Sequence, residues 1–425
     1  MLKSRLFIGF CLVFLVQVAF AQEQKARRIT ETLCSDSLYG RGYLKNGVNK
    51  AAYFLADEFQ KAGLDPFLEN SGYLQPFQFD VNTFPGTVSL SVNDKKLIPG
   101  KDFVVDAVSG GGQGKIQFIE LDTTILEDEE ELKKVISTAQ EKDNYAFYLD
   151  LSGASIKLES TLKYQLKGLA QFAPVVFITA RKFTWSVGRT QLKHPIFIVK
   201  EKLIDTATKV KYTVDAQFVE GFESNNVIGY LPAKRKNAKT IVFTAHYDHL
   251  GGMGTTTSTF FPGANDNASG TAMLVSMADY FRENRTKYNM LFIAFAGEEA
   301  GLLGSKYFVE ENSVDLDKIK FLLNLDIMGS GEDGITVVNG AQLKKPFKKL
   351  VKINDKKEYL TRIKPRGPTQ NSDHYYFHKE GVPSFFIYTM GHNKHYHDIY
   401  DTYDELSFAA YDNIVKLLID FVEKM

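Results

Sequence analysis

The sequence predicts an α/β fold: a three-layer α-β-α arrangement around a mostly parallel central sheet, with an inserted β-rich accessory domain. Three observations lead there. The runs TIVFTA, MLFIAFA, KFLLNLD and PSFFIY are near-continuous apolar segments of strand length, as expected of strands covered on both faces. Helical apolar spacing fills the intervals between them. From about Pro85 to Asp215 the pattern changes to short strand-like runs, TVSLSV, KIQFIEL, NYAFYLDL and APVVFITA, separated by turns and carrying no cluster of acids with histidines.

Taken in order, the chain begins with Lys3 and Arg5, an apolar stretch from Leu6 to Phe20, and Ala19-Phe20-Ala21 before QEQK. That order is a secretory signal peptide, residues 1–21, and the apolar run is short for a ~20-residue membrane crossing. The expected product is exported, periplasmic or extracellular, with no membrane association once the signal is removed. Cys34 is then the only cysteine, so no internal disulfide forms. Val48, Ala52, Leu55, Phe59 and Ala62 fall at helical spacing with Gly63 as the stop, within an N-terminal part of the catalytic domain spanning 22–84. Residues 85–217 form the inserted accessory domain, in which the charge run Glu127 to Lys134 is a solvated helix face. Residues 218–425 complete the catalytic domain.

Composition excludes one class of partner. Over 425 residues, Lys+Arg and Asp+Glu are both 51, which offers no basic stripe for nucleic acid. The expected partner is a peptide substrate; oligomeric state is not legible.

Function is written at the strand ends. His246 and Asp248 follow TIVFTA, Glu298 and Glu299 follow MLFIAFA, and Asp326 closes KFLLNLD, so sheet topology brings them to one edge, where ligands bind in such folds. Asp266 stands in PGANDNASG just before a helix, and His397 in HYHDIYDT. A hydrolytic two-zinc site requires imidazole and carboxylate ligands, one shared carboxylate and a base beside the water. Each motif alone has a plainer meaning: HxD as a satisfied histidine, NDN as a helix N-cap, GEE as first-turn acids. Their coincidence at successive strand ends of one frame favours a metal centre.

The ordered segments AHYDHLG, PGANDNASGTA, FAGEEAGLLGS, LNLDIMG, NSDHYYFHKEGVP and HDIYDT resemble the secreted co-catalytic zinc aminopeptidases, whose relatives include glutamate carboxypeptidases, the transferrin receptor ectodomain and glutaminyl cyclases. The resemblance covers Val227 to the C-terminus and the opening LCSDSLYGRGYLKNGVNKAAYFLADEFQKAGL. It implies two Zn2+ per chain, one held by His246 and Asp326, the other by Glu299 and His397, with Asp266 bridging. It further implies Glu298 as general base to a metal-activated water and Asp248 as the group that orients His246. His392 and His395 become rim residues, and His249 takes no metal role. Asp373 and His374 match the family's SDH turn. Where some members carry a tyrosine or paired cysteines upstream of that turn, this chain has RGPTQN, which leaves Arg366 or Tyr375 as the transition-state donor. The substrate pocket is expected from LGGMGTTTSTFFPG and HYYFHKEG, both loop-like. Two alternatives are a one-zinc glutaminyl cyclase and a non-catalytic binding ectodomain; retention of the whole ligand set favours the hydrolase.

Overall fold

The computed structural model describes residues 23–68, 71–141, 144–200, 209–256 and 259–425. The expected signal segment lies outside them. Among the described residues no helix is long and apolar enough to cross a membrane.

A nine-stranded sheet organises most of the chain. Its centre is the set Asn289–Phe295, Thr240–His246, Ile319–Asp326 and Ser384–Met390, side by side and mutually parallel. These are the four apolar runs that the sequence marks as doubly covered strands. Parallelism stops at the flanks, where Gln217–Leu231 runs antiparallel to Asn289–Phe295 and Gly334–Val338 antiparallel to Ser384–Met390. Residue alternation fixes the layers. Ile241, Phe243 and Ala245 pack into one core with the helices Gly47–Lys61, Gly270–Glu283 and Tyr411–Glu423. Val242, on the opposite face, joins Leu291, Ile293 and Leu322 against Phe308 and Phe377 of the helices Leu303–Glu310 and His374–Lys379. The helix expected to stop at Gly63 ends at Lys61, and Gly63 takes φ +70.

An eight-stranded sheet gathers the strands between Val88 and Val214. Its core strands Gly112–Glu120, Tyr145–Asp150, Val175–Thr179 and Ile196–Lys200 are parallel; the helices Thr123–Glu127, Glu129–Gln140 and Ile156–Leu169 connect the first three, and a loop leads to the fourth. The β-rich expectation for this segment is therefore incomplete: it is itself α/β, as parallel strands require crossover connections. The acidic run does lie on an exposed helix, capped by Asp128, whose carboxylate accepts from the backbone N–H groups of Glu130 and Glu131. Chain entry and exit are adjacent, because Leu74–Thr83 pairs with Gln217–Leu231 from Thr83↔Gln217 to Leu74↔Val227.

Candidate metal centre

Parallel strands placed side by side deliver their carboxyl ends to one rim. His246 and Asp326 are the last residues of Thr240–His246 and Ile319–Asp326, and Glu298 and Glu299 occupy the turn after Asn289–Phe295. That turn is neither strand end nor helix; the next helix begins at Leu303. Asp266 sits in the irregular turn Ala264–Ser269 with non-helical φ −107 and ψ 97. Its backbone N–H donates to Asp401 Oδ2 at 3.0 Å, and that of Asn265 donates to the same carboxylate at 3.0 and 3.1 Å. Asn267 ties this turn to the strand carrying Asp326, donating to Leu325 O at 3.0 Å and accepting from Ile327 N–H at 3.2 Å.

The side chains meet in two groups that share Asp266. His246 Nε2 lies 3.3 Å from Asp266 Oδ1 and 3.5 Å from Asp326 Oδ1. His397 Nε2 lies 3.2 Å from Asp266 Oδ2 and 3.1 Å from Glu299 Oε2. Neighbouring ligand atoms in a tetrahedral zinc shell stand roughly 3.3–3.6 Å apart, from bond lengths of ~2.0–2.2 Å, so each histidine stands at about that spacing from its two carboxylates. Two of these atoms, Asp266 Oδ2 and Asp326 Oδ1, are buried with no hydrogen-bond partner. A carboxylate oxygen left so in the interior is costly unless a cation meets it. The donor set therefore fits zinc. The combinations His246-Asp266-Asp326, His246-Glu298-Glu299 and His249-Asp266-Glu299 each present converging ligand atoms.

Electrostatics point the same way. Burial lowers the pKa of His246, but the carboxylates of Glu298, Asp326 and Asp266 outweigh it and hold the imidazole well above its ordinary value. Burial also opposes charge on His397, yet Glu299 and Asp266 raise it to about 11. Glu299, desolvated but facing His397 and His249, falls to about 2. Glu298 is pushed well above the carboxylate range by burial and by the charges of Glu299, Asp373 and Asp326, against the pull of His246. Negative charge is crowded here beyond what the histidines offset, a setting in which a bound cation is stabilised.

Several surrounding roles differ from the sequence expectation. Asp248 holds His246 chiefly through its backbone: His246 Nδ1 is 3.2 Å from Asp248 O and 3.8 Å from Asp248 Oδ1. The Asp248 carboxylate instead accepts from the backbone N–H groups of Glu298 at 3.2 Å and Glu299 at 3.3 Å, fixing the turn that presents both. His249, left without a role by sequence, is fully buried with Nδ1 2.8 Å from Glu299 Oε1. Arg41 is also fully buried and donates to the carbonyls of Tyr247, Leu33, Pro262 and Gly263 at 2.6–2.9 Å. Gly40 and Gly42 let it enter: Gly40 has φ +64, and a β-carbon on Gly42 would lie 2.4 Å from Gly251 Cα. His395 is half-buried, its Nδ1 3.4 Å from Asp398 Oδ2.

The cavity beside the centre, about 360 Å³, is lined among others by Asp266, Ile327, Tyr388, Met390 and Tyr396. Neither expected loop lines it. HYYFHKEG is mostly the helix His374–Lys379, whose Phe377 faces the core. Arg366 donates to the Tyr388 hydroxyl at 3.1 Å, and Tyr375 packs on Tyr376. Tyr396 lines this cavity, its ring stacked on His397 at 3.8 Å between centroids.

Fold and site together define a three-layer α/β protein with a buried carboxylate-histidine cluster at the carboxyl edge of its sheet. Residues 226–422, which carry His246, Asp248, Asp266, Glu298, Glu299, Asp326 and His397, match the model of peptidase family M28. The chain is similar to the Bacillus subtilis aminopeptidase YwaD, at 38% identity over 109 residues, covering 25% of this chain and 22% of that protein. A probable leucine aminopeptidase of Trichophyton verrucosum is 28% identical over 246 residues, covering 54% of this chain and 63% of its own. The matched stretches thus span less than two thirds of either relative. A solved zinc aminopeptidase from Bacillus subtilis shares the fold over 94% of both chains, with TM-score 0.69 and 19% identity.

Proposed function

We propose that the protein is a zinc-dependent exopeptidase, an aminopeptidase, holding two Zn2+ through His246, Asp326, Glu299, His397 and a bridging Asp266. The observation that carries this is the split use of one carboxylate: Asp266 turns Oδ1 toward His246 and Oδ2 toward His397. When bound, zinc polarises a scissile carbonyl and lowers the pKa of water toward neutrality. The remaining work belongs to the chain. Glu298, its carboxyl pushed above the usual range by burial and neighbouring acids, takes a proton from the attacking water and returns it to the departing amine. Asp248 aims Glu298 by binding its backbone N–H. Tyr396, rather than Arg366 or Tyr375, stands ready to donate to oxygen charge developing beside His397. Ile327, Tyr388 and Met390 give the cavity an apolar wall suited to one apolar side chain.

The names of the relatives support aminopeptidase over other peptide hydrolysis. Export by residues 1–21 and an accessory unit over 85–217 belong to the same reading. A panel of peptides with free and blocked N-termini, assayed with and without chelator, tests it. Cleavage of free-amine peptides alone, abolished by chelator and restored by zinc, is expected; equal cleavage of blocked peptides would rule out the aminopeptidase, and chelator resistance would rule out the metal.

A further inference from the structure

The loop between Val175–Thr179 and Ile196–Lys200 of the eight-stranded sheet leaves its own sheet and reaches the segment carrying His397. Trp185, the single tryptophan of the chain, makes a reciprocal pair of bonds there: its backbone N–H donates to His397 O at 3.0 Å, and its carbonyl lies 2.9 Å from His397 Nδ1. A carbonyl oxygen can only accept, so Nδ1 carries a proton. In the neutral ring, the lone pair then sits on Nε2, the atom that faces Asp266 and Glu299. Lys182 caps the same turn. Its Nζ donates to Lys394 O at 2.6 Å and Tyr396 O at 2.9 Å and pairs with Asp398 Oδ2 at 2.8 Å.

These contacts act on a residue that needs holding. His397 has φ +58, a left-handed conformation that a residue with a β-carbon adopts at a cost of roughly 1–2 kcal/mol. Trp185 is itself anchored: the indole Nε1–H donates to Val105 O at 2.7 Å, and the ring stacks on Phe261 at 4.8 Å with an interplanar angle of 17°. Plain packing between two sheets would account for a buried indole. It does not account for a carbonyl aimed at the ring nitrogen opposite the metal-facing one, with a lysine closing the adjacent turn.

We propose that the eight-stranded unit is part of the metal centre: Trp185 and Lys182 are positioning residues that fix the tautomer and orientation of His397. The ion held by His397 and Glu299 then depends on the docking of that loop, and the ion held by His246 and Asp326 does not. This rests on the two-zinc reading above.

The test is competitive zinc titration of the metal-free full chain against a chromogenic chelator, for the wild type, Trp185→Ala, Trp185→Phe and Lys182→Met. Trp185→Ala removes the indole that anchors the loop, Trp185→Phe keeps an aromatic ring facing Phe261, and Lys182→Met alters a half-exposed side chain. Expected are two sites in the wild type and a loss of about 10–100-fold in affinity at one site only in Trp185→Ala and Lys182→Met, with Trp185→Phe largely restored. The weakened site should coincide with the one lost in His397→Ala and not with the one lost in His246→Ala. Two zinc ions bound with unchanged affinity in both variants, or equal weakening of both sites, would overturn the inference while leaving the two-zinc reading standing. A wild-type chain that binds no zinc would overturn both.

Discussion

At the scale of single residues, the proposed roles of Glu298 and Asp266 differ although both are acids facing His246. Glu298→Gln is expected to keep zinc and fold while hydrolysis falls by about 10²–10⁴-fold, since it removes a base and spares the ligand atoms converging on Asp266. Metal analysis beside steady-state kinetics checks this, and near-normal turnover would exclude the role. Asp266→Ala should instead deplete zinc, and unchanged stoichiometry there would contradict the bridging assignment. The histidines set a pH dependence. Both imidazoles have folded pKa values above the ordinary ~6.5, His397 to about 11, so in the metal-free protein their stabilisation is full below pH ~6.5 and is lost as pH rises toward the folded values. The melting temperature of the chelated protein should fall across that window. Zinc needs the neutral rings, so its affinity rises with pH and its binding releases protons, measurable by calorimetry in buffers of different ionisation heat. Heats independent of buffer would refute the assignment of these imidazolium protons.

At the scale of elements, the strand ends carry the site, and this is why so much was legible. TIVFTA, MLFIAFA and KFLLNLD announce their own secondary structure, and the residues that follow them must emerge at a common edge. What sequence could not reveal depends on contacts between distant segments. Arg41 lies in a short LYGRGY stretch with no periodic signal, and only folding buries it beneath the centre. Its neighbours Gly40 and Gly42 were the available hint, since paired glycines beside a charge mark a close backbone approach. His249 carries no local signal, because its partner Glu299 is fifty residues away. The helix Ile156–Leu169 has a weak sequence signal because its buried stripe is narrow, Leu162, Leu166 and Leu169, while Ile156 and Tyr164 are 69% and 83% exposed and blur the apolar face. Arg41→Met is expected to destabilise by about 3–5 kcal/mol, because several buried carbonyls lose their donor at once. A denaturation midpoint equal to that of wild type would show that the guanidinium is not what holds the segments together.

At the scale of the whole molecule, the centre lies where separate pieces of chain meet: the turn after Gly263, three central strands, the His397 loop and the loop of the second sheet. Such a site is stabilised by the ion and in turn ties those pieces together, so zinc raises the apparent stability of the folded chain by mass action. The melting temperature should drop on chelation and recover with added zinc; invariance would show that the metal does not bridge these elements. The most direct measurement is anomalous diffraction at the zinc edge from crystals of the zinc-loaded chain. Two peaks are expected, one on each side of the Asp266 carboxylate, the first within bonding distance of His246 and Asp326 and the second of Glu299 and His397. One peak, none, or peaks away from Asp266 would contradict the account.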